Sequence, residues 1–257
     1  MTKKNEKPTH PLLDDAHREG RLSRAALDVL QLPDLGAQIQ AGLGVSVDDV
    51  DASEVLLVTL MPDDSSSIQF AGNAGALRDG HNLVLDALAQ SRQMEDVLVH
   101  TRYLNGFVLF PYVTLSSAVR MDGKNYRPNQ GTPLFDQTLV VLATVAAKAQ
   151  ELQNAGVAVR TVTLLLTDGS DQHSTRATAA DVRAVVQDLT RDEHHVICAM
   201  GIADGSTDFR AVFSDMGIPD RWILTPGNSA SEIRKAFQVF SQSAARVSAG
   251  GLGGFMN

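Results

Sequence analysis

Asp63, Ser65 and Ser67 stand at alternate positions and put one carboxylate and two hydroxyls on a single short stretch. Oxygen-only donors suit a hard cation such as Mg²⁺ or Mn²⁺ far better than zinc, which favours nitrogen and sulfur. Two later stretches carry donors of the same kind. Thr132 lies in Gly131-Thr132-Pro133-Leu134, and Asp168 in Thr167-Asp168-Gly169. His173 and the pair His194-His195 lack metal-ligand spacing and read as surface or turn residues.

Enzyme chemistry is the competing class. An aspartate after a buried strand can act as a phosphoryl-transfer nucleophile. That chemistry pairs it with a second acid two residues on, and Ser65 stands there. No Gly-x-Ser-x-Gly elbow, Gly-x-x-x-x-Gly-Lys loop or Gly-x-Gly-x-x-Gly fingerprint occurs. The chain is therefore read as a non-enzyme, with a Mg²⁺-dependent phosphatase as the weakest alternative.

The elements that must position these donors follow from the apolar pattern. Val55-Leu56-Leu57-Val58-Thr59-Leu60 and Val162-Thr163-Leu164-Leu165-Leu166 read as buried parallel strands ending just before Asp63 and Asp168. In open α/β sheets that C-terminal edge is where ligands bind. Ala74, Leu77, His81, Val84 and Leu88 share a helical face, which makes His81 a packing residue rather than a ligand or base. Runs at 97–104 and 107–110 flank Asn105-Gly106, a strong hairpin signal, with Pro111 ending or interrupting the second strand. Residues 134–152 are apolar around most of a helix, and Pro133 suits its first turn. Asp136 reads as a carboxylate favouring that helix's dipole, with support of the site as a second possibility. Further on, Thr178 and Asp181 form a capping box before Val182, Val185, Val186 and Leu189. A strand at 196–200, a helix closed by Gly217, a short strand at 221–224 and a helix facing inward through Ile233, Ala236, Phe237 and Phe240 complete the pattern.

Asp63-x-Ser65-x-Ser67, Thr132 in Gly-Thr-Pro-Leu and Asp168 in Thr-Asp-Gly together resemble the von Willebrand factor type A (VWA) domain, in the form of its intracellular bacterial members. They match that family's metal-ion-dependent adhesion site, in the family's order. The resemblance covers about residues 55–240. It implies a doubly wound α/β fold, with a mostly parallel six-stranded sheet, one antiparallel edge strand and helices on both faces. It also implies that Ser65, Ser67 and Thr132 ligate Mg²⁺ or Mn²⁺ directly while Asp63 and Asp168 act largely through water. The implied function is an adaptor that captures an Asp or Glu of a protein partner through the ion, the partner being of the AAA+ ATPase or stress and conflict-system kind. The alternative is a structural subunit of an assembly with an incidental metal site. Ser66 and Ile68 depart mildly from the family pattern. Asp64 is read either as added negative charge near the ion or as a solvent-exposed residue of little effect.

The chain of 257 residues with a net charge of −8 is ample for a large core and argues against general nucleic-acid binding. The single cysteine, Cys198, lies in an apolar run and reads as a core thiol, in keeping with a reducing compartment. No stretch approaches the ~20 apolar residues of a membrane helix, and residues 1–8 do not read as a signal peptide. The expectation is a cytoplasmic protein with no membrane partner. Residues 1–53 are expected to be an N-terminal helical extension, 54–247 the VWA domain, and 248–257 a flexible glycine-rich tail. In the extension, Leu22, Ala26, Val29 and Leu30, with Ser23 at the start, and then Leu35, Ile39 and Leu43 suggest two short helices. They are read as packed on the sheet domain, the alternative being an oligomerisation or docking arm. Phe255-Met256 is noted as a second, lesser docking candidate.

Overall fold

Strand β1 (Glu54–Met61) is buried along its length after Glu54, as a run of Val, Leu and Met between two neighbouring strands requires. It pairs in parallel with β2 (Val97–Arg102) on one side and β4 (Ala158–Thr167) on the other. β3 (Val108–Thr114) runs antiparallel to β2, while β5 (His195–Gly201) and the short β6 (Ile223–Leu224) extend the sheet in parallel. The order is β3-β2-β1-β4-β5-β6, six strands with one antiparallel edge, as the sequence leads one to expect. The computed structural model describes residues 10–90, 96–191 and 193–248. The glycine-rich tail after 248, with Phe255-Met256, lies outside the described residues.

Helices cover both faces. On one, α5 (Ala74–Ala89) lies beside α9 (Ala230–Ser248), whose inward Ile233, Ala236, Phe237 and Phe240 are all buried. A Cβ at Gly80 would sit 2.1 Å from the Phe237 ring, so only glycine lets these two helices approach so closely. On the other, α6 (Leu134–Asn154) is buried nearly all round, with α7 (Ala179–Leu189) beside it. The Thr178–Asp181 capping box of α7 forms as its spacing demands. α8 (Phe209–Asp215) flanks α7 and β5 and ends at Gly217, whose φ is +84°.

The N-terminal segment holds three helices, not two: α1 (Pro11–Arg18), α2 (Arg24–Val29) and α3 (Leu35–Leu43). Leu13, Ala16, Leu22, Ala26 and Ile39 belong to the same apolar core as the sheet. A left-handed Gly44, with Tyr112 O only 2.0 Å from where a Cβ would stand, turns the chain so that Val45 N–H donates to that carbonyl at 2.9 Å. Of the two alternatives for Pro111, the structure has the interruption: β3 continues through it, as an edge strand tolerates, and the pairing register with β2 shifts there. His195 is no surface residue: it opens β5, is buried, and its Nδ1 lies 2.9 Å from Thr161 Oγ1. Among the described residues, no helix is long and apolar enough to cross a membrane.

Candidate metal-binding site at the sheet edge

The chain leaves β1 towards β2 on one side and returns from β3 to β4 on the other, so the ends of β1 and β4 form the switch point of the sheet. Their register pairs Met61 with Leu165, which carries Asp63 level with Thr167 and beside Asp168. A short helix, α4 (Ser66–Phe70), begins inside the serine loop.

Four of the five candidate donors form a closed ring of hydrogen bonds. Ser65 N–H donates to Asp63 Oδ1 at 2.7 Å, and the hydroxyls of Ser65 and Ser67 lie 2.8 Å apart. Ser67 Oγ donates to Asp168 Oδ1 at 2.5 Å, and Asp168 N–H returns to Asp63 Oδ2 at 3.4 Å. Thr132 is held alongside by its loop. Ser66 N–H donates to Gln130 O at 2.9 Å, and the Asn129 and Gln130 amides donate to Asp64 O, each at 3.0 Å. All five donors except Ser67 are buried, and Ser67 is exposed at the helix start.

Burial sets the electrostatics. Desolvation raises the Asp63 carboxyl to about 6 against the opposing hydrogen bonds from Ser65 and Thr167, and the Asp168 charge adds to the rise. Asp168 is likewise raised, first by desolvation and further by Asp204. The ring thus concentrates negative charge that nothing cationic offsets within it.

No family model matches the chain, and no curated protein matches it in sequence. Solved structures do match. The pilus adhesin SpaC of Lactobacillus rhamnosus GG, in its open conformation, aligns with a TM-score of 0.56 at 15% identity, over 76% of this chain and 30% of the adhesin. The vWF domain of the type V pilus tip protein Mfa5 of Porphyromonas gingivalis aligns at 0.48 and 10% identity, over 75% of this chain and 97% of that domain. The VWA domain of SpRpn10 aligns at 0.47 and 10% identity, over 73% and 95%. This chain therefore spans about 30% of the length of the adhesin it matches. With the strand order above, the architecture is decided. The chain has the VWA fold.

The VWA fold implies a divalent ion at this edge, and the donor set fits one. Asp63, Ser65, Ser67, Thr132 and Asp168 offer only oxygen, which suits Mg²⁺ or Mn²⁺. Among the described residues no group of three or more His, Cys, Asp and Glu stands ready for a metal. That is no contradiction, since three of these five donors are hydroxyls. Burial raises Asp63 and Asp168, and a cation beside them would act in the opposite sense by favouring their ionised forms.

Several residues that hold this VWA edge together are not evident from local sequence. His173 Nδ1 accepts the Thr132 N–H at 2.8 Å, and Thr132 O accepts the Gln172 and His173 amides at 3.1 and 3.3 Å. His173 is an exposed bend residue, as expected, and its imidazole is engaged on the Thr132 loop. Asp64 is buried, not exposed, and its Oδ1 accepts from Asn105 N at 3.0 Å and Nδ2 at 2.9 Å, while Asn105 Nδ2 also reaches Gly131 O at 2.6 Å. Asp136 does more than favour a helix dipole. Its carboxylate accepts the amides of Thr175, Arg176 and Ala177, tying the loop after Asp168 to the start of α6. Pro133 precedes the helix as its cap, and Ser174 Oγ accepts the next amides, Phe135 at 3.1 Å and Asp136 at 3.0 Å. Tyr126 OH donates to Asp63 O from beneath. Cys198 is a fully buried core thiol.

Proposed function

We propose that the chain is a divalent-metal-dependent protein-binding module that captures an acidic side chain of a partner and catalyses no reaction. The observation that supports this most directly is the closed ring of Asp63, Ser65, Ser67 and Asp168, with Thr132 fastened beside it. A bound Mg²⁺ or Mn²⁺ supplies a coordination position open to a carboxylate of another protein, because neutral hydroxyls leave the ion's charge largely uncompensated. Ser65, Ser67 and Thr132 offer those hydroxyls, and Asp63 and Asp168 hold them in place while supplying the balancing charge. Asp63 is anchored from three directions, by Ser65 N–H, Thr167 Oγ and the Tyr126 hydroxyl on its carbonyl. Such anchoring keeps the donors assembled before any ligand arrives, so little ordering entropy is lost on binding. A cytoplasmic setting belongs to the same reading, supported by the buried thiol of Cys198.

The test is isothermal titration with Mn²⁺ on the wild-type chain, Asp63→Ala and Ser67→Ala. A loss of at least about tenfold in affinity is expected for each, by comparison with the cost of disturbing groups that orient metal ligands. Equal affinity in the wild type and Asp63→Ala overturns the reading. Thr132→Ala should then weaken capture of an acidic ligand more than it weakens Mn²⁺ itself.

A further inference from the structure

Beside the candidate metal site lies an open cleft of about 470 Å³ that the ring of donors does not use. Its walls include Tyr103, Phe107, Asn105, Lys124, Arg127 and Gln130. On a chain with a net charge of −8, two exposed cations line one cleft, whose own carboxylate, Asp64, is buried and held by Asn105. Arg127, exposed and lining the cleft, donates from Nε to Gly123 O at 3.2 Å. Among the described residues, neither Lys124 nor Arg127 forms a salt bridge, although Asp122, anchored by the Lys124 and Asn125 amides, lies near enough to feel the lysine. Phe107 is 59% exposed, and its ring stacks on Tyr103 at 5.6 Å. An aromatic kept at the surface, with a partner ring behind it, offers apolar contact without having to reorder.

The cleft and the ring share walls. Asp64 lines the cleft and lies between Asp63 and Ser65, and Gln130 lines it two residues before Thr132. Two residues of extended chain span at most about 7 Å. Asn105 joins the two sites through Asp64 Oδ1 and Gly131 O.

We propose that this cleft is a second recognition subsite for the same partner, taking an acidic peptide segment whose second carboxylate lies against Lys124 and Arg127 and whose neighbouring apolar side chain rests on Phe107. The inference rests on the metal reading for its first carboxylate. From the spacing of the shared walls, the two acids stand two to four residues apart in the partner. The ring supplies affinity for any accessible carboxylate, and the cleft selects which acidic segment is held. Charges at a rim act mainly on selectivity and encounter rate, and they are weakened by salt.

The probes are fluorescein-labelled hexapeptides bearing one aspartate, or two acids separated by two, three or four residues, with and without an adjacent leucine. Fluorescence polarisation is read in Mg²⁺ and in EDTA, on the wild-type chain and on the Lys124→Ala/Arg127→Ala double variant. A second acid should tighten binding to the wild type by about fivefold, the scale of an exposed ion pair. That gain should vanish in the double variant and in high salt, while the one-acid peptide binds both proteins alike and needs Mg²⁺. Equal binding of one-acid and two-acid peptides, or a gain that survives in the double variant, overturns the cleft and leaves the metal reading standing. Binding of every peptide that is indifferent to EDTA overturns the metal reading instead. Competition by a mixed-sequence single-stranded DNA at matched charge shows a general polyanion surface and overturns the peptide assignment. Absence of binding by any peptide overturns both.

Discussion

At the ends of β1 and β4, Asp63 and Asp168 are buried with hydroxyls and amides as partners, and both are pushed towards their neutral forms. On the α6 side of the sheet the buried cations Arg102 and Lys148 take backbone carbonyls from far along the chain, and the buried Asp188 takes the Ser23 N–H. Arg102 donates to Gln38 O, and Lys148 to Val45 O and, at 2.6 Å, to Glu151 Oε2. Beside them His100 donates from Nδ1 to Phe110 O at 2.8 Å and is held neutral, its pKa down at about 3 by desolvation. Both clusters carry the cost of desolvation. The basic one finds carbonyl acceptors from within, in the N-terminal segment, although Arg102 Nε itself has no partner among the described residues. The acidic one opens on a sheet edge where a cation from solution can complete it. Burial with internal partners marks structure here, and burial with a missing counter-charge marks the site.

The largest expected effect breaks the internal half of this comparison. Removing the first 45 residues takes away the carbonyls facing Arg102 and Lys148 together with Leu13, Leu22 and Ile39 of the common core. It should destabilise the chain by more than about 5 kcal/mol, read as loss of a cooperative urea transition. A truncated chain that keeps its urea midpoint would show the helices to be a detachable arm. Next in size, Lys148→Met keeps the length of the side chain but leaves Val45 O without its donor, and should cost about 3 kcal/mol in the same measurement.

The third concerns pH. His81 and His100 are depressed by burial to about 4 and about 3. A folded value below the unfolded one means the stability is present above about pH 6.5 and is lost as pH falls towards the folded values. By about pH 5 the loss is about 2 kcal/mol for each histidine. His81→Gln should therefore lose about 2 kcal/mol less than the wild type between neutral pH and about pH 5, in paired urea titrations. Equal slopes would place the proton uptake elsewhere. Asp63, raised to about 6, acts in the opposite sense, which is why the variant pair is compared rather than the bare profile.

The smallest effect sharpens the comparison most, because its sign differs from that of Lys148→Met. In EDTA at neutral pH, Asp63→Asn should leave the chain as stable as the wild type or more stable by about 1 kcal/mol, since it removes an uncompensated buried charge and keeps an acceptor for Ser65 N–H. With saturating Mg²⁺ the order should reverse, because only the wild type gains from the ion. Thermal shifts with and without Mg²⁺ read both. A clear destabilisation in EDTA would mean that the acidic ring, like the basic cluster, is already complete.

Much of this was legible in the sequence. The apolar runs marked β1, β4 and β5, and spacing marked the inward faces of α5, α7 and α9, because two-residue and 3.6-residue periods are local. The helix α1 was not legible: it is eight residues long and buries only Leu13 and Ala16. The partners of Asp64, Asp136, His173 and the buried His195 were not legible for a different reason. Each finds its partner 34 to 41 residues away, and no local period reports such a pairing.

By itself the sequence determined the main strands and helices of the sheet domain and the oxygen chemistry of Asp63, Ser65, Ser67, Thr132 and Asp168. Only the tertiary structure decided that these donors meet. The parallel register of Met61 with Leu165 brings Asp63 and Asp168, 105 residues apart, into one ring, and the turn at Asn105 and the imidazole of His173 hold the Thr132 loop against it. The same packing decided which buried charges were satisfied. Gln38 and Val45 reach Arg102 and Lys148 because α3 lies across α6, whereas among the described residues no cation pairs with Asp63 at the end of β1.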